Sequence, residues 1–173
     1  TEGWYSQRPE FFKKNNFAGR GIGGQTTPQM LIRFTPDVLD LNPEAVVILA
    51  GTNDIAGNTG FSSTKMITDN ISAMAQLAKA KGVKVILSSI LPVYRYPWRP
   101  KVDAISTIAE VNQCLKSYAE ANNFVYLDYF SAMTDEKKGL KKEFSEDGVH
   151  PNAKGYAVME PLVLEAIQKA LQD

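Results

Sequence analysis

Residues 45–54 read AVVILAGTND: six apolar residues, then a glycine and three small polar side chains. A run this short, rich in β-branched residues and closed by a turn-former, reads as a buried strand. Two similar runs follow at 83–90 (VKVILSSI) and 124–130 (FVYLDYF). A weaker fourth strand is expected around Phe17 to Ile22. Helical patterns fill the intervals. Residues 28–41 begin with Pro28 and repeat at Leu31, Phe34, Val38 and Leu41. Residues 63–81 align Ile67, Ile71, Met74 and Leu77, and Gly82 supplies a stop. Residues 102–122 align Ile105, Ile108, Val111, Leu115 and Tyr118, and 152–171 align Tyr156, Met159, Val163, Ile167 and Leu171, with a kink expected near Pro161. Strands alternating with helices imply crossover connections and a parallel sheet covered on both faces. The expectation is one doubly wound, flavodoxin-like α/β domain spanning residues 1–173.

Composition fits that reading and narrows the partners. Hydrophobic residues make up 44% and charged residues 22% of 173 residues, an ordinary globular balance. The formal net charge is zero, so no overall field draws the chain to nucleic acid or an anionic membrane. The apolar runs are far too short for a bilayer-spanning helix. A single cysteine, Cys114, excludes an internal disulfide and a cysteine-based zinc site. No metal or organic cofactor is expected.

Open parallel sheets bind ligands at the carboxyl ends of their strands. That rule selects four segments: GRGIGGQTT (19–27), GTND (51–54), SSILPVYRYPWRP (88–100) and DGVHP (147–151). The last contains His150, the only histidine. A histidine that acts as a general base needs one ring nitrogen toward the reaction and the other held by an acceptor. Asp147, three positions earlier across a glycine, is placed to fold back onto Nδ1. The plainer alternative is a surface histidine beside a helix-capping aspartate. In GTND, the Asn53 amide is a suitable donor to a developing oxyanion, because it stabilises negative charge without ionising; Asn53 and Asp54 equally suit turn and capping bonds. Gly19, Gly21 and Gly24 satisfy G-x-G-x-x-G, yet the polar lead-in KKNNFA is a poor strand for a dinucleotide site. Tyr94, Tyr96 and Trp98, interleaved with Arg95 and Arg99, are candidate substrate-facing aromatics, as is Trp4.

The ordered set G-G-Q-T-T, G-T-N-D and D-G-V-H-P resembles the SGNH (GDSL-type) esterases and acylhydrolases, over essentially the whole chain. The resemblance implies that Gly24 gives a backbone N–H and Asn53 a side-chain amide to an oxyanion hole, with His150 as general base and Asp147 its orienting carboxylate. Gly19 departs from the family, whose members often carry asparagine before R-G-I. The larger departure concerns the nucleophile. The family's serine lies in a segment like G-D-S-I-T-E-G after the first strand, whereas this chain opens T-E-G-W. Ser6, Ser88 and Ser89 match no nucleophile motif, and no G-x-S-x-G elbow occurs. The family's strand order, 2-1-3-4-5, makes that first strand central. Its loss would bare interior edges at about 1–3 kcal/mol per buried unpaired group. The expectation is therefore that the central strand and its serine lie upstream of Thr1. The implied activity is cleavage of short-chain esters, acetyl above all, of a carbohydrate or other small alcohol. A binding module that lacks the nucleophile and a nucleotide-binding flavodoxin-like domain are the alternatives.

Overall fold

The computed structural model describes residues 2–172. Two short helices, α1 (Glu2–Gln7) and α2 (Pro9–Lys14), lead into an irregular segment and then α3 (Thr27–Ile32) and α4 (Phe34–Asp37). Strand β1 (Ala45–Ile48) runs into α5 (Thr52–Ile55), and α6 (Thr64–Ala80) crosses over to β2 (Lys84–Ser88). Helix α7 (Ala104–Asn122) makes the next crossover to β3 (Val125–Leu127), followed by α8 (Tyr129–Met133) and the C-terminal α9 (Ala153–Gln172). The strands form one parallel sheet in the order β1-β2-β3, with Ala45 opposite Lys84 and Ile86 opposite Val125.

Alternation along the strands decides which helix covers which face. Val46, Ile48, Val85 and Leu87 point to one layer, where Ile67, Ile71 and Met74 of α6 and Ile108, Val111 and Leu115 of α7 meet them. Val47, Ile86, Val125 and Leu127 point to the other, against Tyr156, Met159 and Val163 of α9 and Trp4 and Phe12 of the N-terminal helices. Both faces are buried, which is why the strands read as continuous apolar runs.

The structure differs from the sequence reading in three places. Residues 17–22 form no strand. Phe17 packs on Phe11, and the Arg20 guanidinium donates to the Asp37 carbonyl at 3.1 Å and its carboxylate at 2.8 Å. The segment is held by side-chain anchors, with no strand beside it. The helix expected over 28–41 is broken into α3, α4 and a 3-10 turn at Leu39–Leu41, because Pro36 has no N–H for the carbonyl of Ile32 and its ring crowds that carbonyl. The run 124–130 is strand only to Leu127. Asp128 then accepts from Ser131 N at 3.0 Å and Ser131 Oγ at 2.6 Å, capping α8. By contrast, α9 continues through Pro161 without ending.

Among the described residues β1 pairs only with β2, so its outer edge carries no strand. A groove of about 700 Å³ runs along that edge, walled by Phe34 and Met74 from one layer and Trp4, Tyr129, Val163 and Ile167 from the other. Phe17, Ala18 and Arg20 line the groove without pairing to β1.

Candidate active site

The DGVHP turn is built around Asp147. Its Oδ1 accepts from the backbone N–H groups of Val149 (2.9 Å) and His150 (2.8 Å), and its Oδ2 lies 2.7 Å from His150 Nδ1. Gly148 takes the left-handed conformation (φ 78°) that brings the chain round this carboxylate. The Ser145 hydroxyl donates to the His150 carbonyl at 2.8 Å and accepts from Gly148 N at 2.9 Å, closing the turn from outside. Burial works to raise the Asp147 pKa, but the bonds from His150 N, the His150 ring and Val149 N outweigh it and hold the carboxyl well below the usual carboxylate range. The carboxylate is thus ionised and positioned to keep the proton of neutral His150 on Nδ1. Nε2 is then the basic atom. The His150 side chain is 70% exposed.

Gly51 ends the β1 run with φ 113°, and an added Cβ there would lie 2.7 Å from Ile90 Cδ1 and 3.1 Å from Ile67 Cγ2. Glycine lets the backbone turn sharply into α5 while packed against two isoleucines. Gly51→Ala is expected to destabilise the fold by about 1–3 kcal/mol, seen as a lower urea midpoint at unchanged slope. An unchanged midpoint would mean that the turn tolerates a side chain.

The turn delivers Asn53 and Asp54 to different tasks. Asp54 is only 2% exposed. Its carboxylate accepts from Thr27 N at 3.0 and 2.9 Å and from Thr27 Oγ1 at 2.6 Å, and Asn70 Nδ2 donates to the same hydroxyl at 3.1 Å. This ties the start of α3, and with it the glycine-rich loop, to the end of β1. Burial raises the Asp54 pKa, and the Thr27 bonds partly offset the rise. Asp54→Ala strands buried Thr27 donors and should cost about 2–4 kcal/mol in denaturant titration. A loss below about 0.5 kcal/mol would show that the loop does not depend on this link.

Asn53 faces the other way. Its Nδ2 donates to the Gln25 carbonyl at 2.8 Å, and its Oδ1 accepts from Asn58 Nδ2 at 3.2 Å. Asn58 Nδ2 also lies 3.1 Å from the Gly24 carbonyl. The two expected oxyanion donors, Gly24 (φ 76°) and Asn53, therefore belong to one bonded loop cluster. Among the described residues the second N–H of the Asn53 amide has no partner. The Glu2 carboxylate accepts from Gly23 N. An acidic group against the glycine loop is the wrong charge for a polyphosphate, which weighs against nucleotide binding.

The expected aromatics divide. Trp4 is buried, stacked between Phe11 (5.5 Å) and Tyr156 (5.4 Å), so its ring offers no face to a substrate. Tyr96 is also fully buried. Its hydroxyl lies 2.9 Å from Thr52 Oγ1, and burial pushes its pKa up to about 12, so it stays a neutral phenol. Both assignments as substrate-facing rings are corrected by this burial. Tyr94 (57% exposed) and Trp98 (46% exposed) remain open to solvent. Trp98 stacks on the His150 ring at 5.9 Å between centroids.

The three serines weighed as nucleophiles are hydrogen-bonded elsewhere. Ser88 Oγ donates to the Ile48 carbonyl at 3.3 Å, Ser89 Oγ accepts from Phe130 N at 2.8 Å, and Ser6 Oγ donates to the Gly3 carbonyl at 3.1 Å. Among the described residues no three His, Cys, Asp or Glu side chains converge as metal ligands, and no helix is long and apolar enough to cross a membrane. The Asn58–Gly24 bond and the Trp98–His150 stack had no signal in the sequence, since each joins distant loops, whereas Ser145 is a local part of the histidine turn that the motif reading missed.

An open parallel α/β sheet with a histidine–carboxylate pair and an amide-bearing loop at its carboxyl end has the outline of a hydrolase. The chain belongs to the GDSL-like lipase/acylhydrolase family, whose model matches residues 2–158. It is similar to the crystal structure of an acylhydrolase-like protein of Bacteroides fragilis NCTC 9343, with 48% identity, coverage of 99% of this chain and 83% of that one, and a TM-score of 0.97. It is equally similar to a GDSL-like lipase of Bacteroides thetaiotaomicron VPI-5482, with 47% identity, coverage of 99% and 84%, and a TM-score of 0.96. A multidomain esterase of Ruminococcus flavefaciens is 28% identical over 134 residues, which are 76% of this chain and 16% of that protein. The chain spans 31% and 16% of the length of the two curated relatives it matches.

Proposed function

We propose that this chain carries the general base and the oxyanion donors of a serine esterase that removes short acyl groups, acetyl above all, from a carbohydrate or other small alcohol. The observation that carries the reading is the Asp147–His150 pair at 2.7 Å, at the same sheet edge as the Gly24–Asn53 cluster. The nucleophile is a serine outside residues 1–173. What supports this is that Ser6, Ser88 and Ser89 lie in no family-like nucleophile motif and are each hydrogen-bonded elsewhere.

In the reaction, the serine hydroxyl gives its proton to His150 Nε2 as its oxygen attacks the ester carbonyl. The tetrahedral oxyanion accepts from Gly24 N–H and the Asn53 amide, and the imidazolium returns its proton to the departing alcohol. Water, deprotonated by His150, then releases the acid. Asp147 keeps the ring in the correct tautomer throughout and remains a carboxylate. A small substrate is favoured by the cavity of about 330 Å³ bounded by Gly57, Phe61, Arg99 and Val102. The test is hydrolysis of p-nitrophenyl esters from acetyl to octanoyl and of acetylated oligosaccharides, alongside labelling by a fluorophosphonate. Acetyl turnover with serine labelling is expected. No labelling and no turnover would favour a binding module, and a preference for octanoyl would overturn the short-acyl assignment.

A further inference from the structure

His150 is held by Asp147 through one ring nitrogen on a largely exposed loop, and one hydrogen bond leaves the ring free to swing about its axis. The indole of Trp98 lies against the imidazole, with ring centroids 5.9 Å apart and planes within 21°. Trp98 is itself placed by Tyr96, whose ring centroid is 5.8 Å away and whose fully buried hydroxyl lies 2.9 Å from Thr52 Oγ1. Thr52 immediately precedes Asn53. Pro97 restricts the backbone between the two rings. Arg99 N donates to the Tyr96 carbonyl at 3.0 Å, and the Arg99 guanidinium reaches the Gly57 carbonyl at 3.4 Å, so the segment is tied down beyond Trp98 as well.

We infer that Trp98 is a positioning residue for His150, and that the path Thr52–Tyr96–Trp98–His150 fixes the general base relative to the oxyanion loop. The general base and the oxyanion loop follow different parts of the sheet, and among the described residues no hydrogen bond joins them directly. One hydroxyl contact and two ring contacts form a path between them. The inference rests on the esterase reading for its catalytic meaning, while the clamp itself is a statement about geometry. Trp98 acts through the ring it holds. Its half-exposed state invites the competing assignment as a platform for substrate, and the two roles differ in what they change. A misplaced base slows turnover, whereas a lost platform weakens binding.

The experiment compares the wild type with Trp98→Ala, Trp98→Phe and Tyr96→Phe by proton NMR and by steady-state hydrolysis of an acetyl ester. Because His150 is the only histidine, its two ring C–H signals are unambiguous. The indole face should shift them upfield, and Trp98→Ala should abolish that shift while Trp98→Phe keeps part of it. Turnover should fall about ten- to a hundredfold in Trp98→Ala with KM little changed, and the phenylalanine should restore most of it. Tyr96→Phe removes only the hydroxyl link to Thr52 and should give a smaller loss of the same kind. Histidine signals identical in wild type and Trp98→Ala would overturn the clamp, as would a raised KM at constant kcat, which assigns Trp98 to the substrate. Loss of the ring-current shift in a protein that hydrolyses no ester upholds the clamp and removes the proposed function instead.

Discussion

Replacing His150 by alanine is expected to lower kcat/KM on an acetyl ester by about 10²–10⁴-fold and to remove the fall in activity on acidification. The wild type should lose activity as pH drops, because a protonated imidazole has no lone pair on Nε2 to take the serine proton. With one histidine in the chain, that limb reports one protonation. Asp147 does not produce it, since the bonds from His150 and Val149 hold its carboxyl ionised well below the usual carboxylate range. What Asp147 adds to folding is present above its unfolded value of about 3.9 and is lost only as pH falls toward its lower folded value. Activity should therefore decline before the loop is lost. The check is a pair of pH profiles, for kcat/KM and for the denaturation midpoint. A His150→Ala variant with near-wild-type activity and an unaltered acidic limb would end the serine-esterase reading.

Asn53→Ala should lower kcat by about 10²–10³-fold while changing KM far less. The amide bonds to the Gln25 carbonyl through one N–H and has a second available for the charge that develops on the carbonyl oxygen. That charge exists only in the transition state, so its stabilisation appears in kcat. Truncation also removes the contacts to Gln25 and Asn58, which would loosen the Gly24 loop. Asn53→Asp is a second variant that retains the Asn58 contact. It keeps the shape and the ability to accept from Asn58, but presents a negative charge to the oxyanion and repels the Gln25 carbonyl, so it should be no more active than the alanine. An Asn53→Asp enzyme with activity close to wild type would remove Asn53 from the oxyanion hole.

The parts that the sequence predicted well are those decided by local chemistry. The three strands were legible because strands buried on both faces must be apolar throughout, and α6, α7 and α9 because one apolar face must meet the sheet. The Asp147–His150 contact was legible because three residues and a glycine suffice to close it. The misreadings have different causes. Phe17 to Ile22 was expected as a strand, yet pairing requires a neighbour, and Arg20 instead bonds to Asp37 seventeen residues on. The break at Pro36 was written locally but masked by the apolar spacing on either side of it.

By itself the sequence determined the alternation of strand and helix, the parallel sheet that follows, and which loops lie at its carboxyl end. It also determined the histidine turn, since every atom in that turn comes from residues 145–151. Tertiary structure alone decided what the aromatic side chains do. Trp4, Tyr96 and Trp98 all carry aromatic rings. Packing sends Trp4 into the core, Tyr96 beneath Thr52 and Trp98 onto His150. A ring's role depends on which surface meets it, and those surfaces come from residues up to 152 positions away, the separation of Trp4 and Tyr156. No local pattern encodes such a meeting, because it exists only after the sheet has brought its loops together.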